Sequence, residues 1–381
     1  MRQKRLLYVL GALMLILWAA LPVQSQSEPR RSPQKEACGG LWPVEQHKKW
    51  GYINKTGRLI IPFKFDLATD FSEGLAVVEI KGECGYIDRT GNFVIPARFH
   101  WGRPFSEGMA VAIIRHLDQK GEITLNRFGY IDRSGAMVIQ PQGVEGEKWL
   151  SNFSEGLACL MQNDKFGYID KAGRQVIPPR YDEAHPFSEG LAAVVIAGKF
   201  GYIDRSGKLV IPPRFEVAGP FSEGLAYIEA NGNPGYSDKS GTMVIKGKEF
   251  VEGRGFSEGL AAAKGKNGQY GYIDKTGNFV IQPQFHRVGD FSEGLAPVKP
   301  VDAGWPGDLA YINRNGQIVI KSMSTLPDRP MKAEFDLHYY RFCGGVARVG
   351  LGNQEDTDAE GYINREGKFI WPEATSKKGL R

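Results

Sequence analysis

The stretch that decides the fold is FSEGLAVVEIKGECGYIDRTGNFVIPARFHWGRP, residues 71–104. It contains three short apolar segments, Leu75–Ile80, Cys84–Asp88 and Phe93–Ile95, which are separated by turn-forming residues. The last two flank the sequence DRTG, in which the Asp side chain can hydrogen-bond the turn backbone and the Gly can adopt the positive φ of a tight hairpin. We therefore predict three antiparallel strands in this stretch.

The same pattern recurs along the whole chain. FSEGLA or a close variant begins at Phe71, Phe105, Phe153, Phe187, Phe221, Phe256 and Phe291. A GYID-like segment begins at Gly51, Gly85, Gly129, Gly167, Gly201, Gly235, Gly271, Ala310 and Gly361. With weaker partners at 37–42 and 342–347, this makes nine paired copies, whose successive starts lie 34 to 51 residues apart. Such regularity predicts stacked supersecondary units with atypical terminal copies.

One copy is too short to bury a stable core alone, so neighbouring copies must cover each other. We expect an all-β fold: a tandem array of nine three-stranded antiparallel β-meander repeats in an open solenoid or superhelix. The alternative is a closed β-propeller-like ring, in which a segment such as 181–186 adds a short fourth strand. Cys38 and Cys343 occupy the same register position in the first and last copies. A disulfide between them would require adjacent chain ends and would favour the ring. We expect these two thiols to be free or differently paired.

The N-terminus has the pattern of an export signal. A short basic region precedes the apolar run Leu6–Leu21, and we expect residues 1–25 to be a signal peptide cleaved after Ser25. The apolar run is shorter than the ~20 residues that cross a bilayer comfortably as a helix. An uncleaved membrane anchor is the alternative. Either way we expect an exported protein, periplasmic or extracellular.

The remaining chain is expected to contain a polar linker at 26–36, the repeats at 37–372 and a polar tail at 373–381. No membrane span is expected in the mature chain. With 42% hydrophobic and 11% aromatic residues, the chain is too apolar for a disordered protein. Because 48 Lys and Arg oppose 43 Asp and Glu, the charge is nearly balanced and predicts no nucleic-acid partner.

The segment KKWGYINKTG, residues 48–57, and its FGYID relatives resemble the WG-repeat family of bacterial proteins, also called KWG repeats. The resemblance covers essentially residues 37–372, although the Trp-Gly pair itself occurs once, at Trp50-Gly51. Another aromatic ring fills the same position in most other copies. The resemblance implies an all-β repeat protein, often exported, and it supplies no catalytic residues.

The repeated polar residues predict structure rather than chemistry. Ser72-Glu73 recurs in seven copies, whereas an active site is one local arrangement. We expect the Ser hydroxyl and the Glu carboxylate to satisfy backbone amides of the tight turn before Gly74. A recurring cation is expected to pair with these carboxylates: Lys64, Arg98, Arg180 and Arg214. The histidines lack metal-ligand spacing, so we predict no catalytic residues, no metal and no cofactor.

The copies differ most around copy three, which carries extra residues within Arg115–Arg127. Trp101 and Trp149 lie four residues before the Phe that opens a copy, where other copies accept Glu or Arg. Because such a position must reach solvent, we predict a partner-binding surface for a protein or a glycan. Its candidate residues are Trp101, Trp149, Arg115 and His116. Alternatively, each Trp merely covers an adjacent loop.

We therefore expect a non-catalytic binding or scaffold protein of the cell envelope. The alternative is an enzyme that acts on envelope polymers, with its site in the insertions of copies three and eight. Its acids would be Asp118, Glu122, Asp328 and Glu334.

Overall fold

The repeated strand pattern is present throughout the computed structural model, which describes residues 40–117, 123–140, 150–301, 309–321, 331–332, 337–351 and 359–371. These residues lie within one compact unit, Arg31–Arg381. Apart from one short 3-10 helix, Leu337–Tyr340, the regular elements there are strands. The predicted all-β class is confirmed.

Strands are numbered in chain order and grouped by repeat. Repeat 1 holds β1 (Trp42–Gln46), β2 (Lys49–Ile53) and β3 (Leu59–Phe65). Repeat 2 holds β4 (Leu67–Ala68), β5 (Ala76–Ile80), β6 (Glu83–Ile87) and β7 (Phe93–Phe99). Repeat 3 holds β8 (Trp101–Gly102), β9 (Ala110–Leu117), β10 (Ile123–Ile131) and β11 (Met137–Ile139). Repeat 4 holds β12 (Leu157–Gln162), β13 (Lys165–Asp170) and β14 (Gln175–Tyr181). Repeat 5 holds β15 (Glu183–Ala184), β16 (Leu191–Ile196), β17 (Lys199–Asp204) and β18 (Leu209–Phe215).

The second half follows the same order. Repeat 6 holds β19 (Val217–Ala218), β20 (Ala226–Ala230), β21 (Asn233–Ser237) and β22 (Met243–Lys246). Repeat 7 holds β23 (Phe250–Ser257), β24 (Leu260–Gly265), β25 (Tyr270–Ile273) and β26 (Phe279–Val288). Repeat 8 continues from β26 with β27 (Leu295–Pro300), β28 (Ala310–Asn313) and β29 (Ile318–Ile320). Repeat 9 holds β30 (Met331–Lys332), β31 (Val346–Leu351), β32 (Ala359–Asn364) and β33 (Phe369–Trp371).

Each repeat is an antiparallel meander in which sequential strands pair. The three predicted strands are present in all nine repeats, and most repeats add a short strand before them. In repeat 5 this strand is Glu183–Ala184, which lies in the segment where a fourth strand was considered. β26 pairs with both β25 and β27, so repeats 7 and 8 share one seven-stranded sheet.

Local sequence sets the hairpins as predicted. The carboxylate of Asp88 accepts hydrogen bonds from the amides of Thr90 and Asn92, and Gly91 has a φ of 85°. The glycine that opens the GYID segment has a different role. A Cβ on Gly201 would lie 2.6 Å from the carbonyl oxygen of Ile211, so glycine lets the third strand cross closely over the second.

The tyrosine of each GYID segment joins its repeat to the next. Its ring is buried, and its hydroxyl donates to a backbone carbonyl of the following repeat at 2.6–2.9 Å. These bonds are Tyr52 to Thr69, Tyr86 to Arg103, Tyr130 to Ser151, Tyr168 to His185, Tyr202 to Gly219, Tyr236 to Arg254, Tyr272 to Gly289 and Tyr311 to Tyr340. Burial raises the pKa of the Tyr52 and Tyr202 hydroxyls well above its usual value, which keeps them as donors.

The same tyrosines pack against the phenylalanine of the next FSEGLA segment. The ring centroids lie 4.8–5.0 Å apart, mostly in edge-on arrangements that aromatic pairs favour. Each of these eight interfaces therefore combines a close ring pair with a hydrogen bond from a buried tyrosine. This is why the two most regular sequence motifs are the two halves of one contact.

The ninth tyrosine shows how the array ends. The hydroxyl of Tyr362 donates to the carbonyl of Pro43 at 2.8 Å, so repeat 9 makes to repeat 1 the same tyrosine hydrogen bond that the other repeats make to their successors. Val346 and Tyr362 share a buried cluster with Trp42, Val44 and Ile53. The repeats thus close into a propeller-like ring, and the expected open solenoid is wrong. Closure covers the apolar faces that an open array would leave exposed at both ends.

The cysteines divide into two classes. Cys84 and Cys159 are free and buried, and they pack as small core side chains. Burial raises the pKa of the Cys84 thiol to about 12. Cys343 is disulfide-bonded. The expectation of a free thiol is therefore wrong for Cys343. The remaining cysteine of the sequence, Cys38, lies outside the described residues.

Candidate binding surface

The seven FSEG serines link successive repeats. Each hydroxyl donates at 2.6–2.8 Å to the carbonyl of the phenylalanine that opens the next repeat's motif. The serines are Ser72, Ser106, Ser154, Ser188, Ser222, Ser257 and Ser292. The expectation that they serve amides of their own turn is therefore wrong, because their partner is a carbonyl 33 to 50 residues further along the chain.

The adjacent glutamates also act between repeats. The carboxylate of Glu73 accepts from the amides of Glu107 and Gly108 in the next turn. The same bond to a following glycine amide is made by Glu107, Glu155, Glu189, Glu223, Glu258 and Glu293. The predicted structural role for these carboxylates is confirmed, although the turn that they satisfy belongs to the next repeat.

The cations beside these carboxylates are not the ones predicted. Carboxylate oxygens of the glutamates lie 3.2–3.9 Å from cations that follow the GYID segment: Arg133, Lys171, Lys239, Lys275 and Arg365. The predicted set, Lys64, Arg98, Arg180 and Arg214, donates instead to hairpin glycine carbonyls of the next repeat. That expectation is wrong because the third strand carries these cations to the hairpin turn rather than to the FSEG turn.

Metal-binding groupings do not emerge in the part of the chain that the structure describes. No three His, Cys, Asp or Glu side chains there are grouped to hold a metal ion. The acids considered for an enzyme site, Asp118, Glu122, Asp328 and Glu334, lie outside the described residues. Within the described ranges, no helix has the length and apolar character needed to span a membrane. The apolar run Leu6–Leu21 lies outside those ranges.

Trp101 occupies an exposed position at the start of repeat 3. It lies in β8, opposite Ile113 of β9, and 37% of its surface is exposed. The guanidinium of Arg103 lies 5.3 Å from the ring centroid and donates to the carbonyl of Leu150 at 2.6 Å. The equivalent Val217 is also exposed at 37%, so this position faces solvent in more than one repeat.

The insertion in repeat 3 lengthens the hairpin beside Trp101. β9 and β10 have eight and nine residues, against five or six for the matching strands of repeats 5 and 6. Arg115 pairs with Asn126, and His116 pairs with Leu125. Arg115 and His116 follow Ile113, the cross-strand partner of Trp101, by two and three residues. The backbone therefore brings Trp101, Arg115 and His116 to one end of this sheet. Trp149 lies outside the described residues.

Sequence reasoning missed a second feature, a cavity of about 340 Å³ on repeats 7 and 8. Its polar lining comes from Arg254, Lys264, Tyr270, His286 and Arg287, which we call the basic cavity. The sequence signal was present: His286 stands where three other repeats have an acid. The side chain of His286 is exposed.

Comparison with known families agrees with the repeat geometry. The family described as WG containing repeat matches residues 50–84, 85–115, 128–142, 166–200, 200–233, 235–270 and 270–305, more than half of the chain. The chain belongs to the WG-repeat family. The sequence of this WG-repeat protein matches no curated protein.

Solved structures resemble the WG-repeat protein in fold at low identity. The crystal structure of the eukaryotic initiation factor has a TM-score of 0.58 at 11% identity, with 87% of this chain and 94% of that chain covered. Dihydro-heme d1 dehydrogenase NirN in complex with DHE has a TM-score of 0.42 at 13% identity, with 82% of each chain covered. BamB from Moraxella catarrhalis has a TM-score of 0.36 at 10% identity, covering 73% and 97%. The first similarity supports the fold and nothing further.

Proposed function

We propose that this WG-repeat protein is an exported, non-catalytic binding or scaffold protein of the cell envelope, which recognises a protein or glycan partner through repeat 3. The observation that carries this proposal is the contrast between the repeated polar groups and the surface around Trp101. The repeated serines and glutamates bind the next repeat, whereas Trp101 is a large, partly exposed aromatic side chain at a position where the fold accepts smaller residues.

The chemistry of the Trp101 surface suits recognition. An indole offers a broad apolar face that stacks on sugars or fills a pocket on a protein, and tryptophan and arginine are over-represented among residues that dominate binding energies. Arg103 lies over the Trp101 ring and is itself held by the carbonyl of Leu150. The ring therefore has a neighbour that restricts its motion before a partner arrives, which lowers the entropy cost of binding.

Export is supported by independent features. The first 25 residues combine a basic start with an apolar run, a pattern typical of secretory signals. Cys343 is disulfide-bonded, and disulfides persist in oxidising compartments outside the cytoplasm.

Replacing Trp101 by Ala tests the proposed surface. We expect binding to a bacterial envelope fraction, measured by cosedimentation, to weaken about tenfold or more, because an aromatic anchor typically contributes that much. The matched control is Val217→Ala, which changes an equally exposed residue at the same register position of repeat 6. The control should bind like the unmodified protein, and both variants should keep its melting temperature within a few degrees. Equal binding by Trp101→Ala and the unmodified protein would exclude this surface.

A further inference from the structure

The basic cavity gathers cationic side chains from adjacent strands of one sheet. Arg254 comes from β23, Lys264 from β24, Tyr270 from β25, and His286 and Arg287 from β26. The Arg254 guanidinium lies 5.9 Å and the Lys264 ammonium 5.6 Å from the centroid of the Tyr270 ring. Because these groups lie on paired strands of a continuous sheet, the scaffold fixes their spacing before any ligand binds.

In three other repeats, the two positions that correspond to Gln269 and His286 carry no net charge. There a lysine at the start of one strand bonds an acid that follows the next strand, at 2.5–2.6 Å: Lys49 to Asp66, Lys165 to Asp182 and Lys199 to Glu216. In repeat 7, Gln269 stands at the lysine position and His286 at the acid position. The structural anion is therefore replaced by a basic side chain.

The neighbouring cross-strand pair adds positive charge. Arg287 of β26 lies directly opposite Lys299 of β27, and Lys299 is only 3% exposed. Burial and the charge of Arg287 lower the pKa of Lys299. The matching cross-strand pairs of four other repeats are Leu67–Glu79, Trp101–Ile113, Glu183–Val195 and Val217–Glu229. Two cations at this position therefore depart from the repeat pattern, and such departures concentrate at functional sites.

One acid beside these cations is already engaged. Glu252 lies opposite Lys264 on the neighbouring strand and accepts a hydrogen bond from the hydroxyl of Tyr270 at 3.2 Å. Arg254 donates to the carbonyl of Val288 at 3.2 Å, which holds its guanidinium at the cavity. Glu252 therefore offsets part of the charge of the lining, in which Arg254, Lys264 and Arg287 are cationic.

We infer that the basic cavity binds an acidic monosaccharide unit, a sugar that carries a carboxylate or a phosphate. The planar guanidinium groups of Arg254 and Arg287 suit oxyanions, which they can bind with two parallel hydrogen bonds. The Tyr270 ring offers a face against which a sugar can pack. A volume of about 340 Å³ lies in the range of small-molecule sites. This site is separate from the Trp101 surface and goes beyond the proposed function.

Isothermal titration calorimetry at low salt tests the inference, with glucuronate, glucose 6-phosphate, inorganic phosphate and neutral glucose as the probes. We expect at least one acidic sugar to bind with a dissociation constant about tenfold or more below that of glucose, since a charge-assisted contact typically contributes that much. Failure of both acidic sugars to bind better than glucose would overturn the inference. Phosphate binding as tightly as glucose 6-phosphate, with glucuronate no better than glucose, would overturn the assignment to a sugar.

Variants assign the binding to this cavity. Arg287→Gln and His286→Gln change exposed side chains, so neither is expected to lower the melting temperature. Arg287→Gln should weaken binding of the acidic sugar about tenfold or more, and His286→Gln should weaken it less. The control is Arg174→Gln, which removes one positive charge from a side chain that is 80% exposed in repeat 4. Arg287→Gln and Arg174→Gln binding equally well would place the site elsewhere.

Discussion

Replacing Cys343 by Ser is expected to lower the free energy of unfolding by about 5 kcal/mol, because a crosslink that closes a very long loop removes much chain entropy from the unfolded state. We expect the partner of Cys343 to be Cys38, since Cys84 and Cys159 are free. This bond would join the first and last repeats. Urea denaturation of the variant and of the unmodified oxidised protein measures the difference.

Two controls separate the crosslink from a local packing effect. Cys38→Ser should lose as much stability as Cys343→Ser, and the double variant should lose no more than either. A reducing agent should destabilise the unmodified protein to the same level and leave both serine variants unchanged. Full stability of Cys38→Ser would contradict the assigned pairing.

Replacing Gly201 by Ala is expected to cost about 2–3 kcal/mol of stability, the range of a forced overpacking inside a core. The new Cβ would lie 2.6 Å from the carbonyl oxygen of Ile211 and 2.8 Å from the nitrogen of Pro213, both backbone atoms that cannot rotate away. The matched control is Gly219→Ala in the next repeat, where the nearest atom would be 3.6 Å away. Urea denaturation should show a large loss for the first variant and almost none for the second. Equal stability of the two variants would contradict the close strand approach.

The strands and hairpins could be predicted because their causes are local. The Asp88 carboxylate reaches amides two and four residues away, and Gly91 takes its positive φ within the same turn. The short fourth strand was harder to predict. In repeat 5 it is two residues long, and it is defined by pairing with β16 rather than by its own sequence.

The partners of the repeated polar side chains could not be predicted, because they lie one repeat away. Ser72 bonds a carbonyl 33 residues further along the chain, and Glu73 bonds amides 34 and 35 residues further along. A sequence motif shows that a side chain is needed, but the rotation between neighbouring repeats decides what it touches. That rotation also decides closure, since nine small rotations must add up to a full turn before Tyr362 can reach Pro43.

The candidate surfaces depend on different kinds of information. Trp101 stood out in the sequence because its register position accepts Glu and Arg in other repeats, and that position is exposed. The basic cavity depends on residues of four strands that come together only when the meander is folded. Its sequence signal was Gln269 and His286, which replace a lysine and an acid of other repeats. That replacement can be recognised only after the structure shows the lysine bonded to the acid in three other repeats.

Ring closure is tested most directly by the distance between repeats 1 and 9. Arg58 and Lys368 are exposed, and their neighbours Gly57 and Ile370 touch each other across this interface. Spin labels attached at these two positions through engineered non-cysteine side chains would leave the native disulfide intact. Pulsed dipolar spectroscopy should then give one narrow distance distribution below about 25 Å, because packed sheets lie only ~10 Å apart. A distribution near ~80 Å, the span of nine repeats stacked in a line at that spacing, would contradict the closed ring.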